Sequence, residues 1–177
     1  MLIEVDITHD QVERAKKLAN IDEAYGSSGY LENQNKTGKR AGVVGSLGEV
    51  IIADNIKNIR LHEYDNPEEM YNYDLLWEDK KYDVKSMFVF KKPKLDKDAC
   101  TTAYWNQKPE GFIFVYILRG FKKGWIGGHI TYDDFYEKAQ FIKRGTKRPD
   151  GFTYKWDNYV CKISDLNKFT NTTRVVI

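Results

Sequence analysis

Apolar residues recur at helical spacing twice in the first third of the chain and at alternating spacing through its middle, which predicts two helices followed by a run of strands. Over residues 8–21, Val12, Ala15, Leu18 and Ala19 repeat every three or four positions, and Thr8 stands three positions before Gln11 in a capping-box arrangement. The next stretch, YGSSGYLENQNKTGKRAG at 25–42, is rich in Gly, Ser, Asn and Lys and follows neither period. It predicts a loop, and loops of that length often carry function. Residues 44–56 return to helical spacing through Leu47, Val50, Ile51 and Ala53, so the second helix emerges from the Gly-rich GVVGSLGE and carries Glu49 in its first turns.

The period then changes. IRLHEY (59–64), MYNYDLLW (70–77) and KYDVKSMFVF (81–90) alternate as strands, with NPEE as a turn and EDK as a tight connection, and together they predict a meander. KDACTTAYWN (97–106) leans towards a strand through its Thr and aromatic content. GFIFVYIL (111–118) reads as a strand buried on both faces, and WIGGHI (125–130) as another. A helix is expected over 131–142, capped by Thr131, with acids in its first turn and Phe135, Ala139 and Ile142 facing the core. The basic loop KRGTKRPDG (143–151), a strand at YVCKI (159–163) and a turn of helix at SDLNKF (164–169) complete the order.

Composition bounds this picture. The 177 residues fit a single domain, and 41% hydrophobic content supplies one buried core. Aromatics at 14% exclude a disordered polar tract. The start, MLIEVDITHD, has acids where a signal peptide needs a basic flank, and no apolar run is long enough to span a membrane, so the chain is expected to remain in the compartment where it is made. Cys100 and Cys161 lack the close pairing of a zinc site and read as reduced thiols. A net charge of +2 says little about a polyanionic partner, but basic residues cluster at Lys36, Lys39 and Arg40, from Lys91 to Lys97, and at Lys143, Arg144, Lys147 and Arg148. Acids gather from Glu63 to Glu69.

Chemistry concentrates in the third strand. Asp83 and Lys85 are two apart, so strand alternation points both to one face while Val84 points to the other. The short EDK turn folds the preceding strand back antiparallel, which brings Asp74 towards Asp83. Paired hard oxygen donors suit Mg²⁺ or Mn²⁺, and a neighbouring ammonium suits an attacking water or a phosphate, a grouping appropriate to phosphodiester hydrolysis. Glu78-Asp79-Lys80 and Asp79-Lys80-Lys81 also fit the short acid-x-Lys pattern, but they lie in a polar connection where exposed charges are ordinary.

Glu49 in GSLGEV, Asp74 in NYDLL, and Asp83 with Lys85 in YDVKS together resemble the PD-(D/E)XK nuclease superfamily over residues 43–90. The family's Pro is replaced here by Tyr73. The resemblance implies one α/β domain across residues 1–177, with a central mixed sheet flanked by helices in the restriction-endonuclease manner, and a Mg²⁺-dependent deoxyribonuclease in which Mn²⁺ substitutes. It implies that Asp74 and Asp83 bind the metal with the Val84 carbonyl as a further ligand. Lys85 would orient or help deprotonate water and stabilise charge on the phosphate, and Glu49 would hold a second metal or a water of the metal's shell. An endonuclease making a two-strand cut would ask for a homodimer, and the small size points to the cytoplasm of a prokaryotic or phage-infected cell. Rival readings are a non-catalytic nucleic-acid-binding or assembly protein with the same fold, and an RNA-directed nuclease.

Other residues are candidates for contacts to DNA. Lys39, Arg40 and Ser46 border the second helix, where a phosphate can be bound, and Lys143, Arg144, Lys147 and Arg148 form a second backbone-binding loop. Ser86, Asn106 and Gln107 read first as local hydrogen-bonding residues. His9, His62 and His129 lack ligand spacing, which disfavours a histidine-metal nuclease, and Trp77, Trp105, Trp125 and Trp156 read as core or half-buried anchors with base stacking as the alternative.

Overall fold

The computed structural model describes residues 2–24, 36–62, 73–103, 109–148 and 151–170, with the backbone alone at 20–24 and 36–41. The Thr8 expectation is met atom for atom: Thr8 N–H donates to Gln11 Oε1 at 3.0 Å and Gln11 N–H donates to Thr8 Oγ1 at 3.2 Å. This reciprocal cap opens α1, His9–Ala24. The second helix, α2, runs Lys36–Asn55 and therefore starts within the stretch expected to be a loop. Gly42 lies where α2 packs on α1: a Cβ built there would stand 3.8 Å from Ala19 Cβ, ordinary contact. Gln11 Nε2 donates to Asp54 Oδ2 at 2.8 Å and Arg14 pairs with the same carboxylate, tying the two helices together.

Over the described residues the meander forms, with β2 at Ile59–Leu61, β3 at Leu75–Trp77 and β4 at Lys80–Val89, while the NPEE turn and the adjoining strand ends at 63–72 lie outside them. Glu78 and Asp79, at φ 51° and 61°, make the two-residue turn between β3 and β4, which places the competing acid-Lys patterns on an exposed hairpin tip. Beyond them lie β5 (Asp98–Thr102), β6 (Gly111–Leu118) and β7 (Lys123–Thr131). An unanticipated β1, Ile3–Asp6, pairs with β7. The six-stranded sheet has the order β1-β7-β6-β4-β3-β2 and is mixed, because β4 and β6 run parallel while the other neighbours run antiparallel.

The helix expected over 131–142 is shorter. Thr131 Oγ1 accepts from Asp134 N–H at 3.3 Å and starts α3, Tyr132–Lys138, but Ala139 is extended, and Gln140–Ile142 form β8 against β9, Asn158–Lys162. Phe141 and Tyr159 are directly paired across these strands, and cross-strand packing overrides the helical continuation. β5, β9 and β8 make a second sheet, and a 3₁₀ turn at Ile163–Asp165 stands where a turn of helix was expected.

β6 divides the core. Ile113, Val115 and Ile117 face α1 and α2, whereas Phe112, Phe114 and Tyr116 face α3 and the small sheet. One face of the large sheet is thus covered by two helices and the other by α3 with strands. Trp77 joins Tyr82, His129 and Phe169 in an aromatic cluster and Trp125 is buried, but Trp156 is exposed, and Trp105 lies outside the described residues. Cys100 and Cys161 are both free thiols. No described helix is long and apolar enough to cross a membrane.

Buried Asp98 fastens the small sheet to its neighbours. It accepts from Lys162 Nζ at 2.6 Å, Arg148 Nη1 at 2.8 Å and Tyr154 Oη at 2.9 Å. Burial pushes its pKa up, but the hydrogen bonds from Lys162 and Tyr154 and the charge of Arg148 outweigh this and hold it below the ordinary value. A lowered folded-state pKa contributes stability above the unfolded value of about 4 that fades as pH falls through the folded one. Asp98→Ala is expected to cost about 3 kcal/mol in urea denaturation at neutral pH, with the loss shrinking in acid.

Candidate active site

Alternation along β4 sends Tyr82, Val84 and Phe88 into the core beneath the helices. Asp83, Lys85 and Met87 take the opposite face, where Met87 packs on the second core. Asp83 is only 4% exposed. Lys85 Nζ lies 2.5 Å from Asp83 Oδ2, close in charge but outside hydrogen-bonding alignment, so this buried oxygen has no hydrogen-bond donor among the described residues.

Asp74 arrives from the end of β3. Leu75 pairs with Tyr82, and Asp74 N–H donates to Tyr82 carbonyl at 2.9 Å, which sets Asp74 opposite Asp83. Its Oδ2 accepts from Val84 N–H at 2.6 Å, and its carbonyl accepts from His62 N–H at 3.0 Å. Asp74 thus ends the described β3–β4 ladder, and the side of β4 beyond Val84 has no described strand next to it.

Glu49 comes from the helix side. It is buried in α2, one residue after Gly48, and Gly48 is where the helix meets β4. A Cβ built on Gly48 would stand 1.8 Å from Ser86 Oγ, 3.0 Å from Ser86 Cβ and 3.4 Å from Val84 Cγ1. Only a residue without a side chain lets α2 approach this closely.

The acids meet electrostatically at Asp74. Its pKa lies well above the usual carboxylate range, first because the group is buried, then because the charges of Asp83 and Glu49 oppose its ionisation; Lys85 acts in the other direction, and the Asp74 and Asp83 carboxyls are within hydrogen-bonding reach. The structure therefore brings together Glu49, Asp74, Asp83 and Lys85. Among the described residues no group of three or more His, Cys, Asp or Glu side chains is arranged to hold a metal ion as it stands. The donor set nevertheless fits a hard divalent cation in kind: clustered carboxylates, one whose ionisation its neighbours oppose and one with an unsatisfied buried oxygen, are the arrangement a cation relieves.

The residues expected to contact DNA fare unevenly. Ser46 is 1% exposed in the middle of α2 rather than at its border, so it faces protein instead of a phosphate. The side chains of Lys39 and Arg40, and Asn106 and Gln107 altogether, lie outside the described residues. Lys143, Arg144 and Lys147 are exposed, with the Arg144 guanidinium 5.8 Å from the Trp156 ring, whereas Arg148 is engaged by Asp98. Ser86 contacts Gly48 in the wall of the site. Sequence reading missed Gly48, although its place immediately before Glu49 inside a helical repeat was the signal. It also missed Tyr136 of α3, whose phenol is pushed up to about 12 by burial and neighbouring tyrosines, with a contribution from the Asp83 charge.

No protein-family model matches the chain, and no curated protein matches it in sequence.

Gly48→Ala should gain helix propensity yet destabilise the protein by about 1–2 kcal/mol, because the new methyl meets Ser86. Adding Ser86→Ala should recover part of that loss, as read by thermal unfolding. The acid cluster has the opposite sign. A raised folded-state pKa means that stability falls as pH rises from about 4 towards that value, so Asp74→Asn in the presence of chelator should be more stable than the parent by about 1 kcal/mol at neutral pH.

Proposed function

We propose that this chain is a divalent-metal-dependent deoxyribonuclease with a restriction-endonuclease-like core, hydrolysing phosphodiester bonds as an endonuclease. The observation that carries the reading is the convergence at Asp74 of two further acid charges, Asp83 and Glu49, with the Lys85 ammonium 2.5 Å from Asp83. Gathering three acids against one lysine at an apolar sheet is a costly way to build a fold, since each buried ion costs several kcal/mol. A polyanion-cleaving site has a use for them.

Asp74 and Asp83 would hold Mg²⁺, with the Val84 carbonyl and Glu49 beside them, and the ion would supply Lewis-acid polarisation of the scissile phosphate. The chain's own residues do the rest. Val84 N–H fixes the Asp74 carboxyl in place at 2.6 Å. Lys85 stands ready to orient a water and to offset negative charge growing on phosphate oxygens. Gly48 brings α2 against Ser86 and Val84, fixing where Glu49 stands.

A rival reading is a nucleic-acid-binding protein that has kept the fold without the chemistry, and it is favoured by the Asp74 and Asp83 carboxyls lying within hydrogen-bonding reach of each other. Calorimetric titration with Mn²⁺, with and without DNA, separates the two, because silence in both titrations would leave only the rival. The direct test is cleavage of plasmid, linear and branched DNA, with RNA alongside, in Mg²⁺, Mn²⁺ and chelator. Cleavage is expected in either metal and none in chelator, and Lys85→Ala should lose about a hundredfold or more in rate. Equal cleavage by Lys85→Ala would remove the proposed mechanism.

A further inference from the structure

Three rings run in file from the neighbourhood of Asp83 to the surface. Phe112 stands beside Asp83 in the β4–β6 register, the ring of Tyr136 of α3 lies 6.3 Å from that of Phe112, and its centroid is 4.8 Å from that of Tyr159, edge-on at 73°. Tyr159 in turn lies 5.4 Å from Phe141, at 62°. Phe141 ends the file in the open, 53% exposed on the three-residue strand β8. Tyr136 and Tyr159 are half-buried, so Phe141 is the exposed end of the file.

Cations flank Phe141 along the chain, with exposed Glu137 beside the first of them. Lys138 precedes Phe141 by three positions, and Lys143 and Arg144 follow it by two and three; all of these are exposed. Asp157, the nearby acid on the facing segment, accepts from Arg144 N–H at 2.6 Å. A ring held out of the core between exposed cations matches the chemistry of a polynucleotide, whose phosphates pair with the cations and whose bases stack on the ring. A continuous duplex keeps its base faces inside its own stack and has nothing to offer such a ring.

We infer that Phe141, at the outer end of the Tyr136–Tyr159–Phe141 file, stacks on unpaired bases of a DNA strand that passes from the acid cluster over this surface, so that the substrate carries a single-stranded segment next to the cleaved bond. This rests on the reading of the site as a deoxyribonuclease. It assigns the substrate class that the acid cluster alone does not specify.

The test is fluorescence anisotropy in chelator, where no cleavage occurs, using a labelled short oligothymidine, an abasic oligomer of the same length and a blunt two-strand duplex. Phe141→Ala is expected to weaken oligothymidine binding about tenfold while leaving the abasic oligomer and the duplex unchanged. Phe141→Trp should restore the affinity, with the added fluorescence quenched by oligothymidine. Unchanged oligothymidine affinity in Phe141→Ala would overturn the inference, as would an equal loss for the abasic oligomer. The two readings fail separately: Lys85→Ala cleaving normally strikes the nuclease mechanism, whereas an inert Phe141→Ala strikes the stacking surface alone.

Discussion

The contact between Gly48 of α2 and Ser86 of β4 is the constraint on which the candidate site depends. A helix bearing any side chain at that position would stand off from the strand, because the first atom added would fall 1.8 Å from Ser86 Oγ. Close approach is held by what flanks it: Leu47, Val50, Ile51 and Ile52 are all completely buried, and each contributes about 2 kcal/mol of apolar transfer before the entropy of ordering is subtracted. That packing is strong enough to hold Glu49 in a region of negative charge. The glycine before it gives up helix propensity of about 1 kcal/mol to make the contact possible.

The same contact explains how residues from opposite faces of a sheet meet. Alternation puts Asp83 and Lys85 on the face of the second core, while α2 covers the other face. A continuous sheet would keep Glu49 and Asp83 apart. β3 has only three residues against the ten of β4, so the described ladder ends at Asp74, and the Asp74 carboxyl at that end interacts with groups from both sides. Its hydrogen bond from Val84 N–H takes the position that a longer ladder would have filled with a backbone carbonyl. The end of strand pairing is therefore what turns separate acids into one cluster.

Much of this was legible in the sequence, for identifiable reasons. Strand periodicity in KYDVKSMFVF gave the shared face of Asp83 and Lys85, the capping pair Thr8 and Gln11 gave the start of α1, and the uninterrupted apolar run GFIFVYIL gave a strand buried on both sides. What was not legible depends on partners distant in sequence. Residues 36–42 look like a loop because their glycines weigh against helix locally, yet they belong to α2, which packs along α1. Residues 139–142 look like the end of a helix until β9 offers Tyr159 as a cross-strand partner for Phe141. Arg148 looks like one more basic loop residue until Asp98, fifty positions earlier, takes its guanidinium. Glu49 could be linked to the other acids only through resemblance, since no local rule relates a helix position to a strand edge.

The two sheets also divide labour in a way the charges make visible. On the small sheet the buried acid, Asp98, is surrounded by Lys162, Arg148 and Tyr154, and its pKa falls. On the large sheet Asp74 is buried beside two further acids and one lysine, and its pKa rises. Desolvation pushes both aspartates up; at Asp98 the hydrogen bonds and cations around it overturn that push, whereas at Asp74 the neighbouring acids add to it. An acid whose neighbours have lowered its pKa is already compensated and serves the fold. One whose neighbours have raised it retains an unmet demand for positive charge, and that demand is what a divalent cation and a phosphodiester would bring into balance.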